Sequence, residues 1–156
     1  MRLLFLLLIA LSSPLAGNAS TLFIEEGENT LATYTINDLQ KMPELSYTTP
    51  LPWIKGDATF TGVSLGYLIN HVAGSIPDTL KLRALNDYSA TISKSEIEKY
   101  DPIVAYLRDG KAMKIRDKGP FWLIYSLEKY PELDNPKAQG QMVWQLERII
   151  ITNNEK

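Results

Sequence analysis

Apolar and polar positions repeat along the chain with two different periods. A period of two runs through Leu80, Leu82 and Ala84 and again through Tyr88, Ala90 and Ile92, on either side of Asn86-Asp87. This predicts a hairpin or a bulged strand pair. A helical period runs through Leu65, Leu68, Ile69 and Val72, the i, i+3, i+4, i+7 spacing of one buried face. Ser64 offers its N-cap and Gly74 its C-terminal stop. Two capping boxes mark shorter helices. Thr35 with Asp38 opens one that reaches about Met42, where Pro43 ends it, and Ser93 with Glu96 opens one that ends near Tyr100.

Apolar runs and turn residues fill in the rest. Thr21 to Glu25 predicts a first strand. The stretch from Ser46 to Thr61, with Pro50, Pro52 and Gly56, predicts a loop-rich connection ending in a short strand at Ala58 to Thr61. Asp109-Gly110 divides two strand-like runs in "IVAYLRDGKAMKI" and predicts a hairpin. "FWLIYSL" reads as a strand buried on both faces, and "QMVWQLERIII" as the closing strand. "EKYPELDNPKAQG" reads as an exposed loop, long enough to serve as a docking surface. Short strands alternating with a few short helices make an α+β fold with a mixed β-sheet core. No repeat or low-complexity linker interrupts it, which fits a single domain over residues 20–156.

The first residues change the picture of where this domain works. Arg2 precedes the apolar run Leu3 to Leu11, followed by Ser12-Ser13-Pro14 and the small-residue site Gly17-Asn18-Ala19. This is the pattern of a Sec-type signal peptide over residues 1–19, and it predicts a periplasmic or secreted protein. The apolar run is shorter than the roughly 20 residues that span a bilayer. Cleavage before Ser20 would move the formal net charge from −2 to −3, since Arg2 is the only charged residue removed. Lys and Arg are dispersed, so nucleic acid is not an expected partner.

The chain contains no cysteine, which excludes disulfides, CxxC redox chemistry, a cysteine nucleophile and thiolate metal sites. It has one histidine, His71, and no close cluster of His, Asp and Glu, so no metal site is expected. His71 lies near a helix C-terminus with no nucleophile beside it in sequence and reads as structural. Ser126 lacks a nucleophile-elbow context. No catalytic residue is assigned.

Taken in order, "TINDLQKMP", "FTGVSLGYLINHVAG", "ALNDYSATIS", "IVAYLRDGKAM", "KGPFWLIY" and "VWQLERIII" resemble the motif series of the oxidoreductase molybdopterin-binding domain, the fold of sulfite oxidase. The resemblance runs from about residue 30 to residue 152. It implies a sulfite-oxidase-type molybdopterin-binding fold in reduced form, and with it a pterin-molybdenum cofactor and oxidoreductase chemistry. Three features depart from that pattern. The family's metal-ligating cysteine falls in the segment near Thr48, Thr49 and Pro50, where no thiol stands, and a threonine hydroxyl is a poor substitute for a soft ligand. The family's arginine in Gly-Pro-Leu-Arg aligns with Trp122, so a bidentate cation is missing. The family's exported enzymes carry twin-arginine signals, whereas Arg2 stands alone.

These departures predict a domain without bound molybdenum that acts as a periplasmic ligand-binding or protein-interaction module, sensory in character. Its expected partners are a membrane signalling or redox protein of the envelope and a small anionic or aromatic ligand. The alternative is a pterin-molybdenum cofactor oxidoreductase with a non-cysteine metal ligand, Thr48 or Thr49. Asn86, Asp87 and Tyr88 fall where the resemblance places the family's Asp-Gly-Tyr beside its cofactor, although turn chemistry also explains Asn-Asp. Lys114, Arg116 and Lys118 alternate, so an extended segment would set all three on one side, to face an anion or guard a strand edge. Trp53, Trp122, Tyr125 and Trp144 either line a flat cleft or pack in the core. The candidate ligand-contacting set is therefore Asn86, Asp87, Tyr88, Arg116, Lys118, Trp122, Trp53 and Thr49.

Overall fold

Strands in this chain form where one face of an alternating run is buried. In β5 (Thr79–Ala84), Leu80, Leu82 and Ala84 are buried while the residues between them are partly exposed. In β1 (Leu22–Glu26), Leu22 and Ile24 are buried in the same way. The structure, a computed structural model, describes residues 20–152, and the expected signal peptide over residues 1–19 lies outside the described residues. Among the described residues no helix is long and apolar enough to cross a membrane.

The mixed β-sheet core consists of two sheets. The first runs in the order β2 (Asn29–Tyr34), β1, β10 (Leu146–Ile151), β5 and β6 (Ser89–Ser93). Only β1 and β10 pair in parallel in it, so the sheet is mixed. The second sheet runs β3 (Leu45–Pro50), β4 (Asp57–Ser64) and β7 (Ile103–Arg108). The far edge of β7 takes the short β8 (Lys111–Ala112) at one end and β9 (Trp122–Ile124) at the other. One cluster of buried side chains, from Leu22 to Ile151, fills the space between the elements.

The helices start where their caps predict. Before α1 (Ile36–Leu39), the Thr35 hydroxyl accepts from the Asp38 backbone N–H while the Asp38 carboxylate accepts from that of Thr35. Ser93 and Glu96 do the same before α3 (Lys94–Tyr100). The Ser64 hydroxyl caps α2 (Leu65–Ala73), which ends at Gly74 in the left-handed region, φ 77°.

Four segments differ from the sequence reading. The connection from Ser46 to Thr61 contains β3, concealed because its exposed positions are polar. Ser46 and Thr48 hydrogen-bond Thr61 and Thr59 of β4, hydroxyl to hydroxyl, each at 2.8 Å. Strand β2, also not foreseen, is an edge strand with mostly exposed residues. The presumed loop at 128–140 is partly helical: a 3-10 turn at Pro131–Leu133 leads into α4 (Pro136–Gln141), whose Ala138 and Gln141 are buried. The closing strand starts only at Leu146, because Gln145 turns left-handed at φ 51°.

Glycine is obligatory at one sheet crossing. Gly62 sits at a bulge of β4 opposite Ala105, and a Cβ there would lie 2.0 Å from the Val104 carbonyl oxygen.

Candidate functional site

The sheets and α4 bring a set of aromatic rings to one end of the molecule. Phe121 to Tyr125 form a fully buried run, and Trp122 of β9 is its largest member. Its indole N–H donates to the Met142 carbonyl at 3.1 Å, so its polar atom is satisfied inside the core. Phe60 meets it edge-on at 5.3 Å between centroids. Trp53 packs on its other side at 6.1 Å, and Trp144 stands edge-on to Trp53 at 5.3 Å. Trp53 and Trp144 are only partly buried, and they carry the aromatic cluster out to the surface.

There they wall a cleft of about 380 Å³. Its floor and one side come from Ala84, Met142 and Val143, together with Trp53 and Trp144. The opposite rim is Asn86 and Tyr88 of the β5–β6 turn, faced by Pro136, Gln139 and Gly140 of α4. Among the described residues no charged side chain lines it. A turn holds the first rim: the Asn86 side-chain oxygen accepts from the Tyr88 N–H at 3.2 Å, and Asp87 sits left-handed at φ 65°. The Tyr88 hydroxyl then reaches across and donates to the Gly140 carbonyl at 2.7 Å, tying the turn to α4.

A polar network fixes α4 from behind. The Gln141 side-chain oxygen accepts from the buried Tyr125 hydroxyl at 2.9 Å, and its amide donates to the Thr91 carbonyl and to Glu96. Lys137 pairs with Glu96 at 2.5 Å. Partial burial raises the Glu96 pKa, but the Lys137 ammonium, the Ser93 N–H and hydroxyl and the Gln141 amide outweigh it and hold the carboxyl at about 2. Burial, with Glu96 and Tyr100 nearby, pushes the Tyr125 hydroxyl well above its ordinary range, so it stays a neutral donor.

The eight candidate residues do not all converge. Trp53, Asn86 and Tyr88 line the cleft, and Asp87 shapes the turn without lining it. Lys118 lies just behind the wall, its ammonium 3.8 Å from the Trp144 ring centroid. Trp122 supports Trp53 from the core and is not itself part of the lining. Arg116 is well exposed, beside Asp117, and points to no cleft wall. The expected one-sided row of Lys114, Arg116 and Lys118 is not there. Residues Ile115–Asp117 form a 3-10 turn and Lys118 is left-handed at φ 73°, so the alternation of an extended strand is lost.

Thr49 lies in the core, away from the cleft. It is fully buried; its hydroxyl accepts from the Leu127 N–H at 2.9 Å and the Glu128 N–H at 3.2 Å and donates to the Pro50 carbonyl at 3.2 Å. Thr48 shares its hydroxyl with Thr59. The Thr49 oxygen is fully engaged, whereas Thr48 is exposed and its hydroxyl makes this one hydrogen bond; among the described residues no group of three or more His, Asp or Glu side chains converges.

Gln139, Gly140, Met142 and Val143 were missed as cleft residues because their segment reads as loop and strand. The signal that could have found them was Asn135-Pro136. Asn135 caps α4, accepting from the Ala138 N–H at 3.0 Å, with proline at the first helical position.

No family model matches the sequence, and no curated protein does. Among solved structures, the chain is similar to the sulfane dehydrogenase SoxCD from Paracoccus pantotrophus. The relationship is distant. The TM-score is 0.61 at 16% identity, over 84% of this chain, and the chain spans 37% of the length of that one. Likeness at this level carries the fold and leaves the activity open. It is compatible with the α+β arrangement of two sheets and short helices.

Proposed function

We propose that this protein is an exported ligand-binding module that uses the cleft between Trp53, Trp144 and the Asn86–Tyr88 turn without a molybdenum cofactor. The cleft carries the reading. Two indole walls and an apolar floor suit a flat, uncharged heteroaromatic molecule, because stacking and burial supply most of the affinity in such sites. The Asn86 amide N–H group and the Gln139 side-chain oxygen offer one donor and one acceptor at the rim to orient its edge. The absent thiol and the fully engaged Thr49 hydroxyl support the cofactor-free half of the proposal. In a periplasmic setting, a module of this kind would report its ligand to a membrane signalling or redox partner.

The test is to purify the protein from its native envelope, measure molybdenum and pterin together, and identify any released small molecule by mass spectrometry. The expected result is neither molybdenum nor pterin, with an aromatic ligand whose affinity falls about tenfold or more in Trp53→Ala. Near-stoichiometric molybdenum with pterin would replace this reading with a pterin-molybdenum oxidoreductase using a non-cysteine ligand.

A further inference from the structure

A second concavity lies on the other side of Gln145 from the cleft. Phe23, Leu85, Ile115, Pro120 and Leu146 line a groove of about 670 Å³. Leu85 is 44% exposed and Ile115 55% exposed. Among the described residues three large hydrophobic side chains are at least 44% exposed, and two of them meet in this one groove. Such convergence marks an interaction surface more than scattered apolar residues do.

The surroundings of Ile115 say what kind of partner fits. Residues 108–118 hold Arg108, Lys111, Lys114, Arg116 and Lys118 against Asp109 and Asp117, a net +3 on a chain whose total is −2. Arg108 and Arg116 lie beside those two carboxylates, at 4.0 and 3.8 Å, whereas Lys114 is exposed with no ion pair among the described residues. The one acid in the groove lining, Glu147, lies 3.3 Å from Arg148, a guanidinium that it shares with Glu25, so the positive charge beside the groove is that of Lys114 and Arg116 on either side of Ile115. A second copy of the chain would bring two positive rims together, and a flat lipid surface would leave a concave groove unfilled.

We propose that this groove docks an acidic protein segment, with an apolar side chain of the partner seated between Leu85 and Ile115 and its carboxylates on Lys114 and Arg116. The surface is tied to its frame by Gln145. Its N–H donates to the Lys118 carbonyl at 2.9 Å, its carbonyl accepts from the Leu85 N–H at 2.9 Å, and its side-chain amide donates to the Ile115 carbonyl at 2.8 Å. One left-handed residue therefore fixes both shoulders of the groove, which are held in place before a partner arrives. The proposal does not depend on what the cleft binds.

The experiment is an amide chemical-shift titration of the protein with a synthetic acidic peptide carrying one central leucine. A lysine-for-acid version of the peptide and phosphatidylglycerol vesicles are run in parallel. The acidic peptide is expected to shift the amides of Leu85, Ile115 and Leu146. Binding should weaken at least about tenfold in Ile115→Asp and in Lys114→Glu with Arg116→Glu, and survive in Ile115→Leu. The rim double variant alters exposed positions and should leave the fold intact, so its loss of binding is read separately from any folding defect of Ile115→Asp. No shift with the acidic peptide, equal binding of the lysine peptide, preference for the vesicles, or concentration-dependent shifts in the protein alone would each overturn the proposal.

Discussion

Replacing Thr49 with valine separates a structural hydroxyl from a metal ligand. Valine matches threonine in shape, so the change removes one oxygen and little volume. The cost follows from what that oxygen does. It accepts from the Leu127 N–H, which is buried, and from the Glu128 N–H, which is part-buried. Leaving a buried N–H without a partner costs about 1–3 kcal/mol, and the second donor, which water can reach, costs less. The net expectation is a loss of about 2–3 kcal/mol. For residues 20–152 the unfolding entropy is roughly 0.28 kcal/mol/K, so the midpoint of thermal unfolding should fall by about 7–11 °C. Thr49→Ser keeps the hydroxyl and should lose only about 1 kcal/mol, the share of one buried methyl group. The assay is urea and thermal denaturation of metal-free protein, followed by circular dichroism. If Thr49→Val changes stability by less than about 0.5 kcal/mol, the hydroxyl is not holding the turn at residues 127–129, whose Leu127 and Glu128 N–H groups it accepts from, and the argument against Thr49 as a ligand fails with it.

Other expectations rest on single contacts. Gly62→Ala should cost about 3–5 kcal/mol or prevent folding, because the new Cβ meets the Val104 carbonyl. Gly56→Ala, with open space around it but a φ of 70°, should cost only about 1 kcal/mol, and equal urea midpoints for the two variants would refute the contrast. Glu96 has its folded pKa depressed to about 2, so its ionised form adds stability that is fully present above the ordinary carboxylate range near 4.5. That contribution should fade as pH drops from about 4.5 to 2, and Glu96→Gln should flatten this part of the Tm-against-pH curve; an unchanged curve would count against it. Tyr88→Phe should cost about 0.5–1.5 kcal/mol and speed amide hydrogen exchange at Ala138 and Met142, since it cuts the tether to Gly140.

What the sequence shows and what it hides have a common cause. Caps are legible because they are local: Thr35 with Asp38, Ser93 with Glu96 and Ser64 with Gly74 each satisfy backbone groups within one helix end, and all three stand where their spacing puts them. Strand β5 is legible because one face is buried and its period of two is unbroken, and strand β6 because Ala90 and Ile92 alternate with exposed neighbours. Strand β3 escaped because its partners across β4 are threonine and serine hydroxyls, a pairing invisible without the register. The basic row at 114–118 failed for a similar reason. Nothing local announces that Gly119 must close on Met113, where a Cβ would lie 2.1 Å from the carbonyl oxygen, and this contact draws the preceding residues into a tight turn. The cleft combines both cases. Its turn, Asn86 to Tyr88, is written in local chemistry, and its indoles stand out in composition. The opposing wall depends on α4, whose position is set by Gln141 reaching to Tyr125, Thr91 and Glu96 from three separate parts of the chain. A site assembled this way can keep its frame while its contents change. The frame rests on buried strands and caps; the contents rest on a few side chains at their ends. Thr49, in the segment where the resemblance places the family's cysteine, and Trp122, at the position of its arginine, are both buried, with their polar atoms bonded inside the core.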